Sequence, residues 1–494
     1  MSGKLISKSN YIKSKQCKKA FYLAITHPEE KEKPNKARKA LFRRGHNIGK
    51  LAWGLFPGGL DLSPGNPINL YTSAKKTAAA IARGEEILYE ATFIFRNFVC
   101  IADILVKKND QWHLFEVKSS ARIQEYHKDD ISFQYFVIAN AGLKLCSASI
   151  GCINSNYKRD KDLDLNKLFQ AEDGTREIVR KVKHLEQDSK ALLELIQLRR
   201  LPTVPIGAHC FKPFACDFLT FCAKEAGGEH IINNSLLDAN TRKNLIVSGL
   251  ENSNEIESEN LPKQFDVQIK SSLQNEEYYN RLVMKRFLSE IPEQFVAIDF
   301  ETLSAAVPPM PGIKPFQSVP FALSITYWDK SGEFLTDVYV VPPGEEPYSN
   351  LMEFIVEKLL PLIENSKVLV FDQQMEKKIL GVLANKFPDY ASEISKLKAS
   401  IIDIRKPLAQ NWYYNPEMKG SYSRKALASA VASNFDDSIE IDDGILAALE
   451  YEYLLSYDME EEERMSVLES IRQYAFQDTA VIPEIIDHWR SLNV

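Results

Sequence analysis

A predicted β-hairpin over residues 101–120 constrains the fold of this 494-residue chain more than any other segment. Its apolar runs IADILV and WHLFEV flank the polar turn KKND, a pattern that predicts two antiparallel strands. Glu116 and Lys118 are two residues apart and share a face of the second strand, beside Asp103 where the register allows. Two carboxylates suit a hard divalent cation. The hairpin therefore predicts metal-assisted hydrolysis of a phosphodiester, and a solvated face of alternating charges is the alternative.

Two predicted helices flank the hairpin, with His46 in LFRRGHNIGKLAWGLF and Gln134 in DDISFQYFVIANAG. Together these segments resemble the RecB-like branch of the PD-(D/E)xK nucleases, which includes the CRISPR-associated exonuclease. The resemblance implies an α/β, restriction-endonuclease-like core in which His46, Asp103 and Glu116 hold the metal. It also implies that Asp103, Glu116 and Lys118 are catalytic and that Gln134 approaches the DNA.

Two further positions bear on the resemblance to this family, Ile138 and Glu90. The family often continues QxxxY after the helical glutamine, whereas Ile138 stands at the tyrosine position here. Glu90, in LYEATFIF, is either an additional acid that faces the site, as is frequent in the family, or a surface carboxylate.

Four of the seven cysteines form a second pattern: Cys17 precedes the hairpin, and Cys210, Cys216 and Cys222 follow it. The arrangement resembles RecB-like exonucleases with an iron–sulfur cluster, and YIKSKQCKKAFYL is similar to their first-ligand segment. The resemblance implies a [4Fe–4S] cluster on four thiolates. Two five-residue gaps separate the trailing cysteines, where the family set begins CxxC. A four-cysteine structural Zn²⁺ site and unligated cysteines are the alternatives. The remaining cysteines lie in apolar runs and are expected as small core residues: Cys100, Cys146 and Cys152.

The second half of the chain opens on the apolar strand QFVAIDFET, in which Asp299 and Glu301 share one face. This pair resembles the first motif of the DEDD exonucleases, which have the RNase H-like fold. FALSITYW and DVYVVPP predict the next strands, and KVLVFDQQMEKKIL predicts a strand and a helix. Glu376 takes the acid position of the family's second motif, with Asp372 as the competing ligand. Asp403, in IIDIRKPL, lies in a segment similar to the one that follows in the family.

The third motif is YxxxD, where Tyr474 and Asp478 share a helix face in RQYAFQDTAVIPEI. The resemblance implies that Tyr474 orients a catalytic water and that four carboxylates hold two metal ions: Asp299, Glu301, Glu376 and Asp478. Ions in such sites lie about 3.5–4 Å apart and require converging acids. A Pro-rich loop before PFQ and the segment KGSYSRKALASAV are similar to uncharacterised bacterial proteins with a RecB-like half. A degenerate RNase H-like scaffold is the alternative.

Composition sets the domain boundaries. We expect a PD-(D/E)xK domain with its cluster at residues 1–230, a helical connector with an acidic linker at 231–290, and a DEDD-type RNase H-fold domain with a mixed sheet and helices at 291–494. The polar segment GLENSNEIESENLPK, residues 249–263, predicts the linker. The chain lacks a long apolar run and a signal-peptide pattern, so a cytoplasmic protein without a membrane partner is expected.

The net charge is −6, but residues 1–50 carry 14 Lys or Arg against 3 Glu, which suits a phosphate backbone. We therefore expect a nuclease using Mg²⁺ or Mn²⁺ on DNA, with single-stranded ends favoured and RNA possible for the second half. The alternative is a nucleic-acid-binding or regulatory protein whose acids no longer catalyse. No GxxxxGK[ST] motif occurs, so unwinding would require a helicase or another repair or defence partner.

Overall fold

The computed structural model describes residues 4–256, 263–363, 366–436, 438–456 and 459–492. The chain divides into two compact units. The first unit comprises Met1–Gly227, Ile246–Gly249 and Ala306–Phe316. The second comprises Gly228–Leu245, Leu250–Ala305 and Gln317–Val494. The expected connector at 231–290 is thus divided between the units, and residues 257–262 of the expected linker lie outside the described residues.

The first unit contains a mixed sheet with helices. Its strands are β1 Ile6–Ser7, β2 Leu60–Asp61, β3 Ile87–Phe95, β4 Phe98–Lys108, β5 Gln111–Val117, β6 Leu145–Ile153 and β7 Phe169–Asp173. Its helices are α1 Lys8–Gln16, α2 Lys18–Thr26, α3 Lys36–Ala52, α4 Leu70–Ala82, α5 Glu125–Asn140, α6 Leu165–Leu168, α7 Thr175–Leu195 and α8 Leu219–Ala226. α9, Ala239–Val247, spans the division between the units.

The predicted hairpin is confirmed as β4 and β5, which pair antiparallel with Ile104 opposite Phe115. Asn109 and Asp110 form the turn with φ of 50° and 57°, a conformation that Asn and Asp tolerate better than most residues. In the sheet order β2-β3-β4-β5-β6-β7, the hairpin lies at the centre, and β1 also pairs with β4. The central position explains why both hairpin strands are rich in buried apolar residues.

One core of the first unit lies between the sheet and α5. Phe98 of β4 packs edge-on against Phe133 and Phe136 of α5, with ring centroids 6.1 Å apart in both pairs. α7 contributes Ile178 and Leu185 to the same apolar cluster. Burial of these side chains fixes α5 against the strands, and α5 carries the glutamine that the sequence analysis selected.

The Pro-rich segment Ala306–Phe316 packs within the first unit. Arg159 donates from Nη1 to the carbonyl oxygens of Pro308 and Pro309, at 2.9 Å each. Ala306 is fully buried in a second apolar cluster, which includes Phe115 of β5. The segment is therefore held by backbone carbonyls and by apolar burial.

The second unit contains a five-stranded main sheet and a separate two-stranded sheet. Its strands are β8 Tyr278–Tyr279, β9 Phe295–Leu303, β10 Val319–Trp328, β11 Phe334–Val340, β12 Lys367–Val370, β13 Ile401–Asp403 and β14 Tyr413–Tyr414. Its helices are α10 Lys263–Gln274, α11 Arg281–Ser289, α12 Pro347–Phe354, α13 Gln373–Lys386, α14 Ala391–Ser400, α15 Lys406–Ala409, α16 Arg424–Val431, α17 Gly444–Ser456, α18 Glu461–Ala480 and α19 Ile482–Ser491. The strands and helices predicted around each acidic motif are confirmed.

The order of the main sheet is β11-β10-β9-β12-β13. β9, β10 and β11 are antiparallel neighbours, while β12 runs parallel to β9 and β13 parallel to β12. β9 is buried along nearly its whole length, as expected for a strand covered on both faces. On β10, the small residues Ser324 and Ala322 stand opposite Asp299 and Glu301, which leaves space beside both acids.

The protein is thus a mixed α/β protein with two mixed sheets among its described residues. The predicted α/β class is confirmed at this level. Within the described ranges, no helix combines the length and apolar composition that crossing a bilayer would need.

Candidate active sites

The first candidate site is built around the Glu116 carboxylate, at the end of β5. Lys118 Nζ lies 2.6 Å from Glu116 Oε1 and 2.6 Å from Asp130 Oδ2. Gln134 Nε2 donates to Glu116 Oε2 at 2.7 Å and to Asp130 Oδ1 at 3.3 Å. The structure therefore brings together the acid, the lysine and the glutamine that the sequence analysis selected, and adds Asp130.

A second lysine enters this site from the start of α1. Lys8 Nζ lies 3.2 Å from Glu116 Oε1, 3.9 Å from Asp103 Oδ1 and 4.0 Å from Asp130 Oδ2. Pairing of β1 with the start of β4 brings Lys8 to this position. Burial opposes the ionisation of Glu116, but Lys118 and Lys8 outweigh it and hold its pKa well below the usual range.

Asp103 lies on β4 beside these groups. Its Oδ2 accepts a hydrogen bond from the backbone N of Val117 at 2.8 Å, so one oxygen is held by the neighbouring strand. Burial and the nearby Glu116 raise the pKa of Asp103 to about 8. Glu90, on β3, has a φ of 53°, which is uncommon for a residue with a Cβ atom. Burial raises its pKa to about 7, and Glu116 adds to this effect, so Glu90 acts electrostatically on the same site.

His46 stands apart from this constellation. It is exposed on α3, and no hydrogen bond or ion pair joins it to Asp103 or Glu116 within the described part of the chain. Gln134, in contrast, is fully buried, and its Oε1 has no hydrogen-bond donor among the described residues. A buried carbonyl oxygen without a donor is costly unless a ligand or water satisfies it.

The second candidate site is an acid cluster at β9 and α18. Among the described residues, the one group of His, Cys, Asp or Glu with three ligand atoms all within 4.8 Å of one another is Asp299, Glu301 and Asp478. All three are buried. Asp299 and Glu301 share a face of β9, as predicted, and α18 brings Asp478 to them from a distant part of the sequence.

Arg424, the first residue of α16, is inserted into this cluster. Its Nη1 donates to Asp299 Oδ1 at 2.7 Å, and its Nη2 forms a short ion pair with Asp478 Oδ2. Its side chain is 15% exposed, so solvent screens these pairs only weakly. Burial disfavours the guanidinium charge, but Asp299 and Asp478 outweigh this effect and raise the pKa of Arg424 well above its usual value.

Glu376 and Asp372 have different environments. Asp372 caps α13 through Gln374 N and pairs with Arg405 Nη1 at 2.8 Å, so its carboxylate is occupied. Glu376 is 3% exposed, and its Oε2 has no hydrogen-bond donor within the ranges that the structure describes. Burial raises the pKa of Glu376 to about 8, and Asp299 adds to this effect. Of the two acids, Glu376 is the one whose carboxylate remains available to the cluster.

Tyr474 contributes its hydroxyl to the cluster. It is a buried residue one helical turn before Asp478, and its hydrogen bond to Asp478 favours the ionised carboxylate. Burial nevertheless raises the pKa of Asp478 to about 6, and it raises that of Glu301 well above its usual value. Asp299, Tyr474 and Asp478 line a cleft of about 520 Å³, which would admit a ligand larger than a metal ion.

The four selected cysteines are free thiols in one neighbourhood of the first unit. Burial raises the pKa of Cys210, Cys216 and Cys222, that of Cys216 to about 11, and the nearby Cys17 thiol adds to the effect in all three. Cys216 N donates to Cys210 O at 2.8 Å. No three of these sulfur atoms converge within 4.8 Å of one another among the described residues. The structure therefore gathers the thiols but does not bring three of them within reach of a single metal ion.

Asp403 has a structural role. Its carboxylate accepts hydrogen bonds from the backbone N atoms of Asp372, Gln373 and Arg405, at 3.2, 3.3 and 2.9 Å. These bonds tie the end of β13 to the start of α13 and thereby help to place Glu376.

Sequence reasoning missed three site residues: Lys8, Asp130 and Arg424. Asp130 had a usable signal, because it lies four residues before Gln134 and shares its helix face. Lys8 and Arg424 had none, because each reaches its acids through contacts between segments that lie far apart in the sequence.

A family model, described as a domain of unknown function (DUF2779), matches residues 296–423. The match includes Asp299, Glu301 and Glu376 and ends one residue before Arg424. It covers about a quarter of the chain and assigns no activity. A search of curated proteins finds no match to the chain.

Proposed function

We propose that this protein is a metal-dependent nuclease that hydrolyses phosphodiester bonds of DNA, with single-stranded ends as the substrate. The observation that carries the proposal is the convergence of the buried acids Asp299, Glu301 and Asp478. Glu376, which is buried and has an unpaired Oε2 among the described residues, supplies a second and independent indication of a missing ligand.

The sheet orders support two nuclease domains. A mixed sheet with the acid pair on its buried central strand is compatible with an RNase H-like domain of the DEDD type. The first unit is proposed as a PD-(D/E)xK domain, because Asp103, Glu116, Lys118 and Gln134 meet at its central hairpin.

The donor atoms fit a hard divalent cation. The second site offers carboxylate oxygens, the ligands that Mg²⁺ and Mn²⁺ prefer. A bound cation would stabilise negative charge on the phosphate and lower the pKa of a coordinated water. Burial raises the pKa of Glu301 well above its usual value, so Glu301 holds a proton in the metal-free state and binding of a cation would release it.

The chain's own side chains would position the reactants. Tyr474 is placed to orient a water molecule, because its hydroxyl lies at the Asp478 carboxylate inside the cleft. In the first unit, the Lys118 ammonium is fixed between Glu116 and Asp130 and is placed to stabilise a charged phosphate oxygen.

The cysteines are proposed to hold a [4Fe–4S] cluster or, as the alternative, a Zn²⁺ ion. Four free thiols in one neighbourhood supply the type of ligand atom that both groups require. We propose a structural role for this site and a reducing, cytoplasmic environment that keeps the other thiols free.

Nucleic-acid binding without catalysis is the second candidate function. Lys8 and Arg424 already pair with the acids of the two sites, and an acid cluster neutralised by internal cations needs no metal to persist. In this alternative, the basic N-terminal region would bind the phosphate backbone while the acids have only a structural role.

Cleavage of end-labelled single-stranded DNA in Mn²⁺ or in chelator tests the proposal. We expect metal-dependent cleavage by the unaltered protein. Lys118→Ala should lower the activity of the first site, and Asp299→Ala that of the second, each on the order of a hundredfold. The double variant should be inactive. A labelled RNA strand in parallel tests the substrate class.

Exposed residues provide matched controls. Lys108→Ala, in the same hairpin as Lys118, and Asp389→Ala, in the second unit, should retain full activity. Activity that survives Lys118→Ala but not Asp299→Ala would make the first unit a binding module, and the reverse result would make the second unit a scaffold. Retained DNA binding with no cleavage in any metal would favour the non-catalytic alternative.

A further inference from the structure

The Arg424 guanidinium lies between two of the three acids of the second site. Nη1 reaches Asp299 at 2.7 Å and Nη2 reaches Asp478, so one planar group bridges both carboxylates. Bridging by the two nitrogens of a single guanidinium is a geometry that Arg can form and Lys cannot. Arg424 therefore acts as the counter-ion of the cluster.

The same carboxylate oxygens are the best candidates for metal ligands. Asp299 and Asp478 belong to the triad whose ligand atoms converge within 4.8 Å. An ion coordinated by these oxygens and a guanidinium bound to them would place two positive charges in one buried gap. Their repulsion is weakly screened at such a site. The two states therefore exclude each other.

We propose that Arg424 is an exchangeable internal cation that occupies the acid site when no divalent ion is bound and that the metal must displace. The inference rests on the metal site of the proposed function and adds a specific regulatory residue to it. Arg424 holds the carboxylates together in the metal-free protein and lowers the apparent affinity for the first ion. After displacement it can move into the cleft, which its neighbours Ser423 and Lys425 line.

The acid cluster gives the exchange a physical basis. Glu301 and Glu376 have no ion pair with Arg424 among the described residues, so the guanidinium engages only part of the cluster. A divalent ion carries twice the charge of Arg424 and can contact more carboxylates at once. Displacement of Arg424 therefore breaks its two contacts with Asp299 and Asp478, and the carboxylates form a larger number of contacts with the metal ion.

Mn²⁺ binding measured by calorimetry, without substrate, tests the exchange. The relevant binding component is the one that Glu301→Gln removes. Arg424→Gln should tighten the apparent Kd of this component by about tenfold or more, because no internal cation has to leave. Arg424→Lys retains the charge but loses the bridge, so its affinity should also rise. Arg472→Gln, at an exposed position on α18, is the matched control and should bind as the unaltered protein does.

The outcomes separate this inference from the proposed function. If Mn²⁺ binds the unaltered protein but Arg424→Gln binds it equally or more weakly, the exchange is wrong and the metal site stands. If no variant has a component that Glu301→Gln removes, both are wrong. If Arg424→Lys binds as the unaltered protein does while Arg424→Gln binds more tightly, the exchange stands, because a lysine cation must also be displaced, and only the requirement for the guanidinium bridge is wrong.

A measurement on the unaltered protein remains valid if the variants do not fold. Phenylglyoxal modifies accessible guanidinium groups, and mass spectrometry locates the modified residues. Arg424 should react several-fold faster in Mn²⁺ than in chelator, because the metal releases it from its carboxylates. Arg405, which pairs with Asp372 on the rim of the cleft, is the internal control and should react equally in both. Equal or slower reaction of Arg424 in Mn²⁺ would overturn the exchange.

Discussion

Buried carboxylates without full compensation distinguish this protein at the scale of single residues. Glu376 is the clearest case, because burial and Asp299 together raise its pKa to about 8 from its ordinary value of 4.5. Such a group retains its proton in the folded, metal-free protein at neutral pH. The unfolded chain has no such restriction, and the difference links protonation to stability.

Glu376 should make the metal-free protein less stable as the pH rises. Below pH 4.5 the group is protonated in both states, and its contribution to stability is complete. Between 4.5 and about 8, the unfolded chain ionises while the folded protein holds the proton, so the contribution is lost progressively. One such group changes the free energy of unfolding by at most about 1.4 kcal/mol per pH unit. Urea unfolding in chelator, from pH 5 to 8.5, measures this slope.

Glu376→Gln isolates the contribution, since the other buried acids remain. The slope of stability against pH should be shallower in this variant, whereas Glu469→Gln, on the exposed face of α18, should match the unaltered protein. Parallel curves for Glu376→Gln and the unaltered protein would show that Glu376 titrates normally. Saturating Mn²⁺ should abolish the difference if Glu376 is a ligand.

At the scale of elements, the sequence predicted each strand and helix that carries an acid motif. The hairpin could be predicted because its turn residues and alternating apolar positions are local signals. The strand β9 could be predicted because an unbroken apolar run is typical of a buried strand. The pairing of Tyr474 and Asp478 could be predicted because residues i and i+4 lie on the same face of a helix. The positions of Lys8 and Arg424 could not be predicted, because long-range packing brings their helices to the acids and no local sequence pattern encodes that packing.

The cysteine elements allow a test of the predicted cluster. Cys17 caps α2, and the other three cysteines lie in and before α8, so a bound group would close a loop around most of the first unit. Cys216→Ser should abolish the iron and sulfide, or the zinc, of anaerobically purified protein. It should also lower the melting temperature, because the loop constraint is lost. Metal analysis and thermal unfolding measure the two effects.

Cys146→Ser is the matched control for this change. Cys146 is also half-buried, but it lies on β6 beside His113, away from the four selected cysteines. Its substitution should leave the metal content unchanged. A Cys216→Ser protein that keeps the full iron or zinc content would contradict the predicted ligand set, and metal-free unaltered protein would favour unligated thiols.

At the scale of the whole molecule, the charge is unevenly distributed, and the N-terminal region has the opposite sign to the net charge of the chain. The chain is acidic overall at −6, yet residues 1–50 hold 14 basic side chains and 3 acidic ones. Many of the basic residues lie on α3, where Lys39 and Lys50 are exposed. A local basic surface can bind a phosphate backbone while the remaining surface repels it, so the affinity depends on a few cations and on salt.

The salt dependence of DNA binding tests quantitatively whether this basic surface contacts phosphates. Each phosphate contact to single-stranded nucleic acid changes the slope of log K against log salt by about −0.7. If Lys39 and Lys50 both contact phosphates, the double change Lys39→Gln and Lys50→Gln should make the slope shallower by about 1.4. Fluorescence anisotropy of labelled single-stranded DNA, in chelator to prevent cleavage, measures this difference.

The second unit supplies the comparison for the salt measurement. Lys330→Gln combined with Lys396→Gln removes the same total charge from two exposed positions there. This change alters the net charge equally, so it separates local contacts from long-range attraction. Equal slopes in the two double variants would show that α3 does not contact the backbone. A shallower slope in the α3 variant alone would assign phosphate contacts to α3.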